Sequence, residues 1–256
     1  MKIIAFGLTD RGKVRENNED NFLILDVGKK KVGDISDPRF LTAGIYLIVA
    51  DGMGGAAAGE KASEIVVNTA QSTALENKQG VDPDEVSFEA IKNAIKDCKL
   101  SIKKNPEWIG MGSVVTYAYL HKKNAFITQV GDTRLYLYRD KELNQITEDQ
   151  NLVTELLKLR MITAEQAKFH PQRNAVTQAI GATDDINPVQ YHIKLKVGDK
   201  LLICSDGLTA MLSDLEIQSI LDSGYNNKDI LQNLLDTANE NGGIDNITII
   251  LAEITK

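Results

Sequence analysis

Apolar positions along the chain change period several times, and the changes mark out the elements. Ile3 to Thr9 and Asn21 to Val27 read as strands, separated by the charge-dense stretch Asp10 to Asp20. Lys29 to Gly44 mixes Lys, Gly, Asp and Pro, the composition of a surface hairpin excursion. Ile45 to Ala50 is a near-continuous apolar run ended by Asp51-Gly52-Met53-Gly54-Gly55, a pattern expected of a buried strand that stops at a carboxylate and a glycine turn.

Beyond Gly59 the spacing of Ala62, Ile65, Val66, Thr69, Ala70 and Thr73 predicts a helix. A second helix is signalled by Asp82 as N-cap, Pro83 at its first position and Glu85 three residues after the cap. Three strands follow, Ser113 to His121, Asn124 to Val130 and Leu135 to Arg139, joined by turns so short that an antiparallel meander is expected. Asn151 to Arg160 and Thr163 to Phe169 predict two short helices in a stretch of weaker periodicity, a surface subdomain. Strands resume at Val189 to Leu195 and at Leu201 to Cys204, the latter ending in Ser205-Asp206-Gly207 much as the central strand ends. Ser213-Asp214-Leu215-Glu216 is a capping box, a further helix begins at Asn227, and Ile247 to Ile254 is a last strand. No repeat, low-complexity tract or linker divides the chain, so one domain over 1–256 is expected, with two sheets packed as a sandwich and helices outside.

Composition narrows the function. A net charge of -7 argues against nucleic acid as a partner, and no apolar run reaches the eighteen residues a membrane span needs. The amino-terminal apolar run is too short for a signal peptide and reads as a first strand. Cys98 and Cys204 lie in apolar settings that predict buried free thiols, which fits a reducing cytoplasm.

Candidate chemistry lies in the aspartates. Asp51, Asp132, Asp206 and Asp245 sit at boundaries of apolar strands, and Asp20 just before another. Each alone is ordinary turn chemistry. Together, several carboxylates brought to one sheet edge need a cation to offset their repulsion, and hard oxygen donors suit magnesium or manganese. Zinc suits them poorly, because His121, His170 and His192 have no ligand spacing. Arg15, close before Glu19 and Asp20, offers the planar fork that a phosphate oxyanion needs.

In chain order, Arg15 with Asn18-Glu19-Asp20, Val49 to Gly55, Gly110-Met111-Gly112-Ser113, Gly131-Asp132-Thr133-Arg134, Ser205-Asp206-Gly207-Leu208 and Asp245-Asn246-Ile247-Thr248 resemble the motifs of the metal-dependent serine/threonine protein phosphatases, the type 2C or PPM family. Met53 and the stretch Asn151 to Gly181 are most similar to the compact, stand-alone bacterial members. The resemblance implies an α+β fold: a four-layer α-β-β-α sandwich of two mainly antiparallel sheets flanked by helix pairs, with a small flap subdomain at about 150–183. It implies a hydrolase that releases phosphate from phosphoserine and phosphothreonine through a metal-activated water at a di-manganese or di-magnesium centre. Asp51 would bridge two ions, the Gly52 carbonyl would complete one, and Asp206 and Asp245 would hold the other. Asp132 with Asp206 would form a third, weaker site, Glu19 and Asp20 would orient waters, and Arg15 would grip the substrate phosphate. Partners implied are phosphorylated proteins, a serine/threonine kinase and its substrates, met by a monomer.

Three positions depart from the family pattern. Met53 stands where eukaryotic members usually have a His proposed as general acid, which leaves the proton donor open, with the surface His170 a conceivable one. Gln150 stands where many bacterial members carry His. The excursion at Lys29 to Gly44 is longer than in the most compact members and is read as a docking surface or an insertion. Two other readings of the carboxylates suit the sequence less well. A calcium site would gather its ligands in one local loop. A nucleotide turn would need a Lys-Ser/Thr pair after the glycines. A catalytically weak phosphoprotein-binding regulator of the same fold is the alternative that needs a missing ligand, and Asp51, Asp206 and Asp245 are all present.

Overall fold

The computed structural model describes residues 1–54, 56–76, 82–183 and 185–256; Gly55, the last glycine of the central turn, lies outside them. Among the described residues there are twelve strands in two six-stranded sheets, with seven α-helices. The first sheet is ordered β4 (Ile35–Phe40), β1 (Lys2–Asp10), β12 (Ile247–Thr255), β11 (Lys200–Cys204), β8 (Arg134–Arg139), β9 (Glu142–Gln145). The second runs β10 (Val189–Lys194), β7 (Asn124–Val130), β6 (Gly112–His121), β5 (Ile45–Met53), β2 (Asn21–Asp26), β3 (Lys31–Val32). Every pairing is antiparallel.

Three apolar cores stack these layers. Ile45, Leu47 and Val49 of β5 meet Leu201 and Ile203 of β11 and Ile250 and Ala252 of β12 between the sheets. Tyr46, Ile48 and Ala50, on the opposite face of β5, pack under α1 (Ala56–Glu76) and α2 (Pro83–Lys104). Leu202 and Cys204 pack with Ile249 and Leu251 under α5 (Asp206–Thr209), α6 (Asp214–Leu221) and α7 (Asn227–Glu240). The result is the expected α-β-β-α order. It explains why β5 reads as one unbroken apolar run: both of its faces are buried, each side chain contributing about 1.5–3 kcal/mol. The helices start as their sequences signal. Asp82 accepts a hydrogen bond from the Asp84 N–H with Pro83 following, and Ser213 and Glu216 close a capping box. Both cysteines are free and buried.

Four local expectations are corrected. The expected meander is broken: β6 pairs with β7, but β8 pairs with β11 and β9 in the other sheet. The chain crosses between sheets at Gly131-Asp132-Thr133, where Gly131 takes a φ of +93°. The excursion at 29–44 is not a hairpin paired with itself; β3 extends one sheet along β2, while β4 extends the other along β1. Buried Ile35 and Leu41 anchor it in the inter-sheet core, an apolar content its polar composition masked. The central strand does not stop at Asp51 but continues through Met53, paired with Gly112 to Val114 of β6. Asp206 opens a helical turn, α5, whereas Asp51 lies within β5.

Candidate metal centre

Strand parity and strand ends together assemble the site. Along β5 the side chains of residues 45, 47 and 49 enter the inter-sheet core, so Asp51 continues that inward row at the end of the sandwich. Asp20 precedes β2, which is β5's neighbour, and Asp206 follows β11. Asp245 precedes β12, the neighbour of β11, and Asp132 lies on the crossing from β7 to β8. All five belong to one end of the sandwich because antiparallel neighbours bring one strand's start beside the next strand's end.

A cavity of about 130 Å³ opens there, lined by Arg15, Glu19, Asp51, Gly52, Met53, Asp132, Asp206 and Asp245, together with Asn174 and Val176 from the 150–183 segment. Seven of the eight residues singled out in the sequence line it; Asp20 lies behind it, buried, accepting a 2.7 Å hydrogen bond from the Ser205 hydroxyl. Gly52 is a point of close backbone approach. A Cβ there would stand 2.1 Å from the Gly59 carbonyl oxygen and 2.6 Å from that of Glu19. Arg15, exposed on the rim, donates to Asp245 at 2.5 Å.

Crowded, desolvated carboxylates resist ionisation. Burial pushes Asp51 well above the usual carboxylate range, and the charges of Asp20, Asp206, Asp132 and Asp245 add to the effect. Asp132 is raised to about 8 by burial and by Asp206 and Asp149, against the opposing charge of Arg134. Asp20 is raised to about 7 by burial although Ser205 and Thr248 hydrogen bonds oppose the shift. Asp206 is raised to about 6 by burial and Asp245. A divalent cation would relieve all of these together.

The donor set fits such an ion of the magnesium or manganese kind. Among the described residues no three His, Cys, Asp or Glu side chains close into a finished cage. Small hard cations take carboxylate, carbonyl and water oxygens, and Asp51, Asp132, Asp206, Asp245 and Gly52 line the cavity, whereas zinc prefers nitrogen and sulfur donors. No histidine lines the cavity: His121 bonds the Thr42 carbonyl, His192 pairs with Asp84, and His170 accepts from the Gln172 N–H.

Several polar residues around the site have roles that the sequence reading did not assign. Asn246 bonds three separate backbone groups of the 11–19 loop. Ser205 joins Asp20 to the Thr248 N–H. Gln150 accepts from the Gly131 N–H at 2.6 Å, and its carbonyl accepts from the Thr177 N–H at 2.9 Å, so one residue ties the Asp132 crossing to the 150–183 segment.

Residues 36–251 match the family model described as protein phosphatase 2C. The chain belongs to that family, the metal-dependent serine/threonine protein phosphatases. It is 33% identical over 248 residues to the serine/threonine phosphatase stp of Listeria innocua, covering 96% of this chain and 93% of that protein. A serine/threonine phosphatase structure from S. agalactiae superposes with a TM-score of 0.88 at 31% identity, covering 98% of this chain and 99% of that one. The catalytic domain of the serine/threonine protein phosphatase PstP, in complex with two manganese ions, superposes with a TM-score of 0.83 at 29% identity, over 100% of this chain and 99% of that one.

Proposed function

We propose that this phosphatase hydrolyses phosphoserine and phosphothreonine monoesters at a two-ion centre, manganese or magnesium, held by Asp51, the Gly52 carbonyl, Asp206 and Asp245. The observation that carries the reading is the convergence of Asp51, Asp132, Asp206 and Asp245 on one small cavity with Arg15 on its rim. When bound, the divalent ions supply Lewis acidity and lower the pKa of water towards neutrality. This chain's own groups do the rest. Arg15 presents a guanidinium whose fork matches two phosphate oxygens and offsets the charge that grows on them during in-line displacement. Glu19, raised by burial, and the buried Asp20 orient water at the inner wall. Asp132 with Asp206 forms a third, weaker cation position, supported by the two carboxylates facing one cavity. Met53 lines the cavity without a transferable proton, so protonation of the leaving alkoxide falls to a solvent-derived acid in this reading.

Residues 1–256 act as a single catalytic domain, with 150–183 as a flap whose Asn174 and Val176 face the carboxylates. The physiological role that follows is reversal of a serine/threonine kinase, by a monomer in a bacterial cytoplasm. The bacterial sources of the relatives support it, and no described helix is long and apolar enough to cross a membrane. Phosphate release from a phosphothreonine peptide tests the reading: it is expected with manganese, and is expected to stop with chelator and return when manganese is restored. Release that persists at full rate in chelator overturns it.

A further inference from the structure

The 11–19 loop carries Arg15 and Glu19 yet forms no strand or helix, so its shape must come from elsewhere. Much of it comes from one side chain. The Asn246 amide nitrogen donates to the carbonyls of Arg11 and Asn17, each at 2.9 Å, while its oxygen accepts from the Glu19 N–H at 2.8 Å. Both amide hydrogens and the carbonyl are thus engaged, and the residue is 5% exposed. The two carbonyls bracket Arg15, so the segment 12–16 is a closed bight pinned at both stems by a single nitrogen. Asn246 itself is held at the head of β12, beside Asp245, whose carboxylate accepts from both the Asn246 N–H and Arg15. The Lys13 N–H to the Gly243 carbonyl, at 2.7 Å, is a further tie of the loop to this turn.

We infer that Asn246 is a positioning residue for phosphate capture: it sets where Arg15 stands over the carboxylate cavity by pinning both stems of the Arg15 loop to the start of β12. The inference rests on the proposed role of Arg15. Its energetic logic is that of preorganisation. Three bonds fixed within the folded protein hold a long, exposed side chain near its working position before substrate arrives, and misplacement of a binding group by about 1 Å costs up to roughly a hundredfold. Substituting Asn246 releases the two carbonyls and the Glu19 N–H to water, and the loop gains freedom while Asp51, Asp206 and Asp245 keep their own elements.

The test is a double-mutant cycle with Asn246→Ala and Arg15→Ala, read as KM and kcat for a phosphothreonine peptide at saturating manganese, and as the inhibition constant of inorganic phosphate. Asn246→Ala is expected to raise KM and the phosphate constant about tenfold with a smaller change in kcat. In the Arg15→Ala background the same substitution is expected to change KM by less than about threefold, because coupled residues are not additive. Manganese affinity by titration calorimetry is expected to stay within about threefold of wild type, since Asp51, Asp206 and Asp245, the residues proposed to hold the ions, are unchanged. The isosteric Asn246→Asp keeps the acceptor towards Glu19 but turns an oxygen on both carbonyls; it fills the same space and must show the same KM effect if Asn246→Ala folds poorly. Equal losses from Asn246→Ala in both backgrounds, with Arg15→Ala itself raising KM, overturn this inference alone. An Arg15→Ala enzyme with unchanged KM overturns the phosphate role of Arg15, and this inference with it.

Discussion

Gly52 shows how little room a single residue has at this site. The 2.1 Å gap between a Cβ and the Gly59 carbonyl oxygen falls on backbone, which cannot swing aside as a side chain would. Gly52→Ala is therefore expected to destabilise the metal-free protein by about 1–3 kcal/mol and to weaken manganese binding, seen by thermal melts and calorimetric titration. Wild-type values for both would contradict the close approach. At this scale the aspartates were legible because a carboxylate ending an apolar run is a visible break in pattern. Asn246, Ser205 and Gln150 were not. An Asn or Ser beside an Asp reads as turn chemistry, and partners that give such a residue its role lie far away in sequence, 227 residues in the case of Asn246 and Glu19.

Among the elements, the helices were the most legible and the strand partners the least. Ser213 caps α6 as its sequence signals, accepting from the Glu216 N–H while Glu216 bonds back to the Ser213 N–H at 2.8 Å. Ser213→Ala is expected to lower stability by about 1 kcal/mol, roughly 2–4 °C in melting temperature for a chain of this size, without changing kcat. A melting temperature equal to wild type would show the cap to be idle. Strand existence follows from local pattern, but a strand's partner follows from where the chain turns between layers. The connection Gly131-Asp132-Thr133 is short enough for a hairpin and instead crosses the sandwich. Its polar groups find partners inside the fold: the Thr116 hydroxyl bonds the Thr133 carbonyl at 2.9 Å, and the Gln129 amide bonds both the Gly131 and Thr133 carbonyls. Those bonds satisfy a buried crossing that local spacing could not distinguish from a turn. The crossing is what delivers Asp132 to the cavity.

For the whole molecule, the layered order was readable from alternation of strand clusters and helix pairs, while the convergence of carboxylates from across the chain needed the ordered resemblance to be foreseen. That convergence also sets how stability depends on pH. Burial and crowding push Asp206, Asp20 and Asp132 up to about 6, 7 and 8 in the metal-free fold, against about 3.9 in an unfolded chain. The folded protein therefore binds more protons than the unfolded chain across this window, and stability must fall as pH rises through it. In chelator the melting temperature is expected to drop between about pH 5 and pH 8. Manganese, which substitutes for those protons, is expected to raise it most at the upper end. A chelated protein that grows more stable from pH 5 to pH 8 would contradict the crowded-carboxylate picture.

The central claim is that Asp51 belongs to the ion-binding core of a phosphatase, and one comparison tests it most directly: phosphate release from a phosphothreonine peptide by wild type and by Asp51→Asn, both at saturating manganese. The substitution keeps the shape of a side chain in the inward row of β5 and removes only its charge. Wild type is expected to turn over and Asp51→Asn to lose at least roughly a hundredfold in kcat while still melting cooperatively. An Asp51→Asn enzyme that keeps wild-type turnover would place the catalytic centre elsewhere.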